Sequence, residues 1–237
     1  MAASSSAVTS GTRRAILFAV LLLWCGALIA LRSVRWRSPE FQSLIWNLFL
    51  AVVPAVAAAL FARSEYRRSP IVVRMTWFAV WLLFLPNAPY IATDFVHLSP
   101  HPPVPLWFDV ALILSCAATG LMLGFSSVAE VQAVITRSRG RTAGWVMATF
   151  ALLLSGFGIY LGRFLRWNSW DALVHPKELV RYVAPRASHP LSHPRSFAVT
   201  LIYGVGLVLG YVALRVFSST FARRDPERRS EHSEIRR

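Results

Sequence analysis

The chain has 237 residues, 55% of them hydrophobic, and a formal net charge of +14. That apolar share and the positive mean hydropathy exceed what a soluble domain carries. The basic residues are scattered between apolar blocks instead of gathered in one stripe, which argues against a nucleic-acid surface.

Six apolar blocks approach the length that crosses hydrocarbon: residues 15–31, 41–62, 71–90, 104–129, 143–161 and 197–217. None shows the period-two alternation of barrel strands, and only closed barrels and helices satisfy the backbone in lipid. The predicted fold is therefore all-α, a polytopic bundle of six transmembrane helices. Residues 1–14 are expected to form a mobile cytoplasmic tail and 218–237 a basic cytoplasmic tail. Thr12-Arg13-Arg14 loosely resembles a twin-arginine signal, but the first block lacks a small-x-small cleavage site and reads as a span. Cys25 and Cys116 fall inside spans, where they are expected to be buried small hydrophobes without a disulfide.

The third block starts well, with Ser69 as cap and Pro70 at the first helical position. Its clean apolar run to Leu85 is only about 22 Å long at helical rise, short of the roughly 30 Å hydrocarbon core. Pro86 and Pro89 remove backbone donors and disfavour helix at the residues before them, so a kink or break is predicted around Asn87 and Ala88. Asn87 can both donate and accept, which suits it to the freed backbone groups as a cap or to the lining of a site.

In the last three blocks Gly120 and Gly124, Gly158 and Gly162, and Gly206 and Gly210 each stand four apart, a spacing that lets backbones approach closely. Tight packing among the fourth, fifth and sixth helices is the expectation. Nothing in the pattern suggests a repeat of three helices plus three, as an inverted-repeat transporter would have.

With the N-terminus inside, fourteen basic residues fall on the cytoplasmic side and nine on the other. The positive-inside bias then puts both termini in the cytoplasm and the Pro86 to Pro103 segment, which has no Lys or Arg, outside. The polar ends of the third, fourth and fifth spans meet on that outer face. Asp109 lies a few residues into the fourth span, where an ionised carboxylate must face protein or a water-filled cavity. Arg163 and Arg166 share a helix face if the fifth helix continues through them, and one of them is the expected partner of Asp94 or Asp109. Asn87, Tyr90, Thr93, Asn168 and Asp171 join this cluster. A bare staple between helices needs two charges, and this group holds many more polar residues. Two guanidinium forks on one face suit a phosphate or carboxylate.

The expected ligand-binding residues are thus Asn87, Tyr90, Arg163, Arg166, Asn168 and Asp171, with Asp94 and Asp109 as acid/base or orienting groups. No metal is expected. His97 with His101, and His189 with His193, have a spacing of four, but the prolines around them argue against the helix that would put each pair on one face. Trp36, Trp107, Trp167 and Trp170 read as an aromatic belt. Residues 176–183 suggest a short interfacial helix with Leu179, Val180 and Val183 toward lipid. No hydrolase elbow, nucleotide loop or zinc-protease signature is present, and no cofactor or oligomeric state is legible.

Three stretches are particular enough to compare with known families. They are Phe84-Leu85-Pro86-Asn87-Ala88-Pro89-Tyr90-Ile91-Ala92-Thr93-Asp94-Phe95, the Trp107-Phe108-Asp109 start of the fourth helix, and Gly156-Phe157-Gly158-Ile159-Tyr160-Leu161-Gly162-Arg163-Phe164-Leu165-Arg166-Trp167-Asn168-Ser169-Trp170-Asp171. They resemble the family called domain of unknown function 1361, from about the second span through the sixth. The resemblance implies a bacterial integral membrane protein, in keeping with an arginine-rich, lysine-poor chain of the bacterial inner membrane. That family carries no established activity, so no site residue is taken from it.

The leading expectation is an outward-facing polar site for an anionic lipid-like or small ligand, with turnover left open. The competing reading is a scaffold whose polar cluster only locks helix ends, and a small-solute transporter is third. A transporter needs a polar path to the other side, for which the largely apolar cores of helices one, two, five and six offer few candidates.

Overall fold

Six helices are long and apolar enough to cross a membrane in the computed structural model, which describes residues 2–37, 40–100, 102–167, 169–189, 192 and 194–234. The chain order is α1 (Ala2–Trp36), α2 (Ser43–Tyr66), α3 (Ile71–Phe84), the one-turn α4 (Asn87–Tyr90) running into a 3₁₀ helix (Ile91–His97), α5 (Leu106–Arg139), α6 (Arg141–Leu165), the one-turn α7 (Asp171–Val174), α8 (Pro176–Ser188) and α9 (Pro194–Glu234). No strand occurs among the described residues.

The centre of the bundle is α5. It takes α1, α2 and α6 on its flanks, and half of its most apolar stretch is buried, against 17% for the spans of α1, α3 and α9. Cys116, Ala117, Gly120 and Gly124 supply the small side chains that let neighbours approach it. On the far side α6 carries α9. Their closest approach is at Gly156, where an added Cβ would strike the Thr200 carbonyl and the Gly204 backbone.

The break predicted in the third span is real, and it moves the chain sideways. Before it, α3 is peripheral, with Trp81 its one buried residue, held by an Nε1 hydrogen bond to Ser127 Oγ at 3.1 Å. Past Leu85 and Pro86 the chain turns inward. Ala88, Pro89, Ile91, Thr93 and Asp94 are buried, and this corner packs against α2, α5 and α6.

The glycine pairs explain how a corner fits there: the fourth span packs on the fifth and the fifth on the sixth, as expected, but the paired glycines of the fourth and fifth spans face the corner instead of those helix seams. Gly120 and Gly124 on α5 leave room for Ala88, whose carbonyl sits where a Gly120 side chain would be, and Gly158 and Gly162 on α6 face the Pro86 ring and the Tyr90 ring. Two glycine grooves on adjacent helices thus grip the broken segment from both sides. Gly206 meets nothing within 4 Å, and Gly210 meets only the Phe125 ring.

One further boundary matters. The fifth span ends at Leu165, and Arg166 adopts a left-handed conformation at φ 57° that stops the helix, with the Trp167 N–H returning to the Leu161 carbonyl at 3.2 Å. Arg163 and Arg166 therefore do not share a helix face; the turn separates them.

Candidate functional site

Proline chemistry starts the site. The break at Pro86 leaves the Phe84 carbonyl without its helical donor, and Asn87 Nδ2 takes it at 2.9 Å while also donating to Ser169 Oγ at 2.8 Å. One amide both caps the end of α3 and ties the corner to the turn after α6. Thr93 Oγ1 closes the Tyr90 carbonyl in the same way at 2.7 Å. The 3₁₀ helix that follows turns tightly enough to place Asp94 inward and His97 at the edge.

Asp94 is buried and receives Asn47 Nδ2 from α2 at 3.1 Å and Arg163 Nη1 from α6 at 3.4 Å. Three elements distant in sequence meet at this carboxylate. Arg163 Nη2 lies 2.8 Å from His97 Nε2. A guanidinium has no acceptor, so in this contact the arginine donates and His97 Nε2 accepts.

These groups form the wall of a cavity of about 890 Å³ between α2, α3, the corner, α6 and α8. Its upper part is polar, with Asn47, Asn87, Tyr90, His97, Arg163 and Arg166. Its lower part is apolar, with Leu82 and Leu83 on one side and Leu154, Phe157 and Leu161 on the other. The volume is toward the upper end for pockets that hold a small organic molecule. Arg163 is charge-compensated by Asp94, whereas Arg166 makes no ion pair among the described residues. The mouth therefore carries one uncompensated positive charge.

A short amphipathic helix closes the water side. In α8, which begins with Pro176 at its first position, Leu179 and Val183 line the cavity and Val180 points outward, 64% exposed. A helix forms where one was predicted, but two of the three apolar side chains expected to face lipid, Leu179 and Val183, line the cavity. Tyr182 fastens it: burial, with a hydrogen bond to Tyr160, pushes its phenol up to about 12 from an ordinary 10.0. The Arg186 guanidinium lies 3.3 Å from the Tyr182 ring centroid. Trp170 of the preceding turn meets Trp46 edge-on at 6.0 Å.

Of the residues singled out from sequence, Asn87, Tyr90, His97, Arg163 and Arg166 line the cavity and Asp94 stands directly behind it. Asp171 opens α7 and does not line it. Asn168, His101 and His193 lie outside the described residues. Among the described residues no three His, Cys, Asp or Glu side chains converge as a metal set would.

Asp109 belongs elsewhere. It is held by Arg32 at the end of α1, through Nε to Oδ1 at 2.7 Å and Nη2 to Oδ2 at 3.1 Å. Arg32 also donates to the Glu40 carbonyl and carboxylate, each at 3.1 Å, with its guanidinium 4.8 Å from the Phe41 ring centroid. Sequence reasoning missed Arg32, which directly follows the first block and was counted among the nine basic residues of the outer face. It also missed Asn47, a polar residue in the first turns of an apolar run. The argument that singled out Asp109 applies to Asn47 in weaker form, since an amide without a partner in hydrocarbon is also costly.

The sequence pattern of the family described as Protein of unknown function (DUF1361) matches residues 46–222, which takes in the corner, the cavity and the lid helix. No curated protein and no solved structure matches the chain. The chain belongs to the DUF1361 family.

Proposed function

We propose that this member of the DUF1361 family binds an anionic amphiphile, head group up, in the cavity beneath α8. The observation that carries the reading is the division of one cavity of about 890 Å³ into a cationic mouth and an apolar lower half. Arg166 and the free edge of Arg163 hold the anion, because their planar forks match two oxygens of a phosphate or carboxylate. Asp94 is an orienting group: its carboxylate is taken up by Arg163 and Asn47, so it aims the arginine. Asn87 and Tyr90 shape the head-group side. We read the membrane as the bacterial inner membrane with both termini in the cytoplasm, so that the site opens outward.

The scaffold reading has an observation of its own, the closed Arg32–Asp109 pair, which locks α1 to α5. It does not account for a second arginine left unpaired over an open cavity. Deeper in the bundle the buried polar groups pair with one another, Tyr211 with Gln132 at 2.6 Å and Trp81 with Ser127, which does not favour a polar path across the bundle.

Arg166→Ala tests the proposal. The side chain is exposed at a turn, so the purified variant should keep its melting temperature within a few degrees. Retention of an anionic lipid in native mass spectrometry should fall at least tenfold. Unchanged retention, or loss of folding together with retention, returns the site to the scaffold reading.

A further inference from the structure

On the reading just given, we infer that the ligand is a lipid of the bilayer itself, taken sideways from one leaflet through a slot between α3 and α6, with its chain in that slot. The inference goes beyond the charge at the mouth to the source of the ligand, membrane against water.

The slot follows from the break at Pro86. Below the corner, α3 packs on α2 and α6 packs on α5 and α9, and α3 and α6 do not pack against each other as those pairs do. The corner bridges them at the top only. Beneath it the lining side chains are Ala79, Leu82 and Leu83 on one wall and Leu154, Phe157 and Leu161 on the other. Leu154 is 37% exposed and Ala79 is exposed, so the slot opens between the two helices to whatever surrounds the bundle. At this depth the surroundings are hydrocarbon.

Its length has a meaning. Leu154 lies nine residues below Arg163 and Ala79 seven below Pro86, or roughly 10–14 Å at helical rise. One leaflet contributes about half of the roughly 30 Å hydrocarbon core. The apolar wall thus runs from the interface almost to the midplane, the reach of a chain from one leaflet. A free anion would occupy the mouth alone and leave that wall without packing partners, which forfeits the dispersion contacts a chain would make. The water side points the same way: Leu179 and Val183 put an apolar cover over the mouth, a poor entrance for a small hydrophilic solute.

The test uses the full chain in a zwitterionic detergent, with three probes read by native mass spectrometry: dioleoyl phosphatidate, dioleoyl phosphatidylcholine and glycerol phosphate, the head without chains. The expected result is at least tenfold preferential retention of phosphatidate over phosphatidylcholine, with no displacement by a hundredfold excess of glycerol phosphate. Ala79→Trp, which fills the slot from the lipid-exposed side of α3, should lower phosphatidate retention at least tenfold. Leu154→Trp fills it from α6 and gives the same readout if the first variant does not fold. Displacement by glycerol phosphate at equal concentration overturns lateral entry and leaves the anion site standing. So does retention that Arg166→Ala abolishes and both slot variants spare. Equal retention of the two lipids, lost on filling the slot, keeps the slot and overturns the anionic head instead.

Discussion

Two arginine–aspartate pairs lie at the same end of this bundle, and they are built for different tasks. Arg32 and Asp109 are 0% and 1% exposed, meet through two parallel hydrogen bonds, and have the remaining guanidinium edge filled by Glu40. Arg163 and Asp94 are 15% and 10% exposed, meet through one contact at 3.4 Å, and stand on the wall of a cavity. A guanidinium whose donors are saturated by protein can only fasten helices. One whose donors are partly free, with a second arginine beside it, can take an external anion. The composition of the two pairs is the same, and closure around them decides the role.

Mutation can break this contrast. Asp109→Ala should have the largest effect, about 3–5 kcal/mol, because it strands a buried arginine with half its partners gone. Thermal unfolding in detergent should show it, and a loss under 1 kcal/mol would mean that the pair is not the staple described. Gly120→Ala comes next, at about 1–3 kcal/mol, since its Cβ would meet the Ala88 carbonyl and must push the corner out of its groove. Accessibility of a cysteine placed at Asn87 should rise in that background; unchanged accessibility would show that the groove does not position the corner.

Asp94→Asn should cost less, about 1–2 kcal/mol, because the amide oxygen can still accept from Arg163, which also keeps His97, yet weaken anionic lipid retention several-fold by misaiming Arg163. A stability loss equal to that of Asp109→Asn would erase the distinction between the pairs. The smallest effect concerns the lid. With its phenol held up at about 12 from 10.0, Tyr182 keeps its proton when docked in a range where the freed side chain would lose it. Docking of α8 is then undiminished below pH 10 and weakens as the pH rises from about 10 toward 12. Tryptophan fluorescence across that window should report the release, and Tyr182→Phe should flatten it.

Much of the fold could be read without coordinates. Apolar block length yields six spans because hydrocarbon thickness sets helix length, and the Pro86 and Pro89 break follows from missing donors. The site was legible in part. Asp94, Arg163, Asn87 and Tyr90 were expected together, and they do meet. The glycine pairs were noticed and given the wrong partner, because spacing shows that a helix has a groove and not what fills it. Arg166 was placed on the Arg163 face because nothing in Phe164-Leu165-Arg166-Trp167 announces a left-handed stop, a position glycine usually takes.

Sequence alone determined the solvent, the number of spans, the broken third helix and the end of the bundle where charge collects, since each depends on local composition and chain order. Which aspartate met which arginine, and whether a cavity opened beside the pair, was decided by tertiary structure. Both depend on how far the broken segment moves toward α5, and that displacement is set by contacts between residues some 30 to 80 positions apart, among them Ala88 against Gly120 and Asn87 with Ser169.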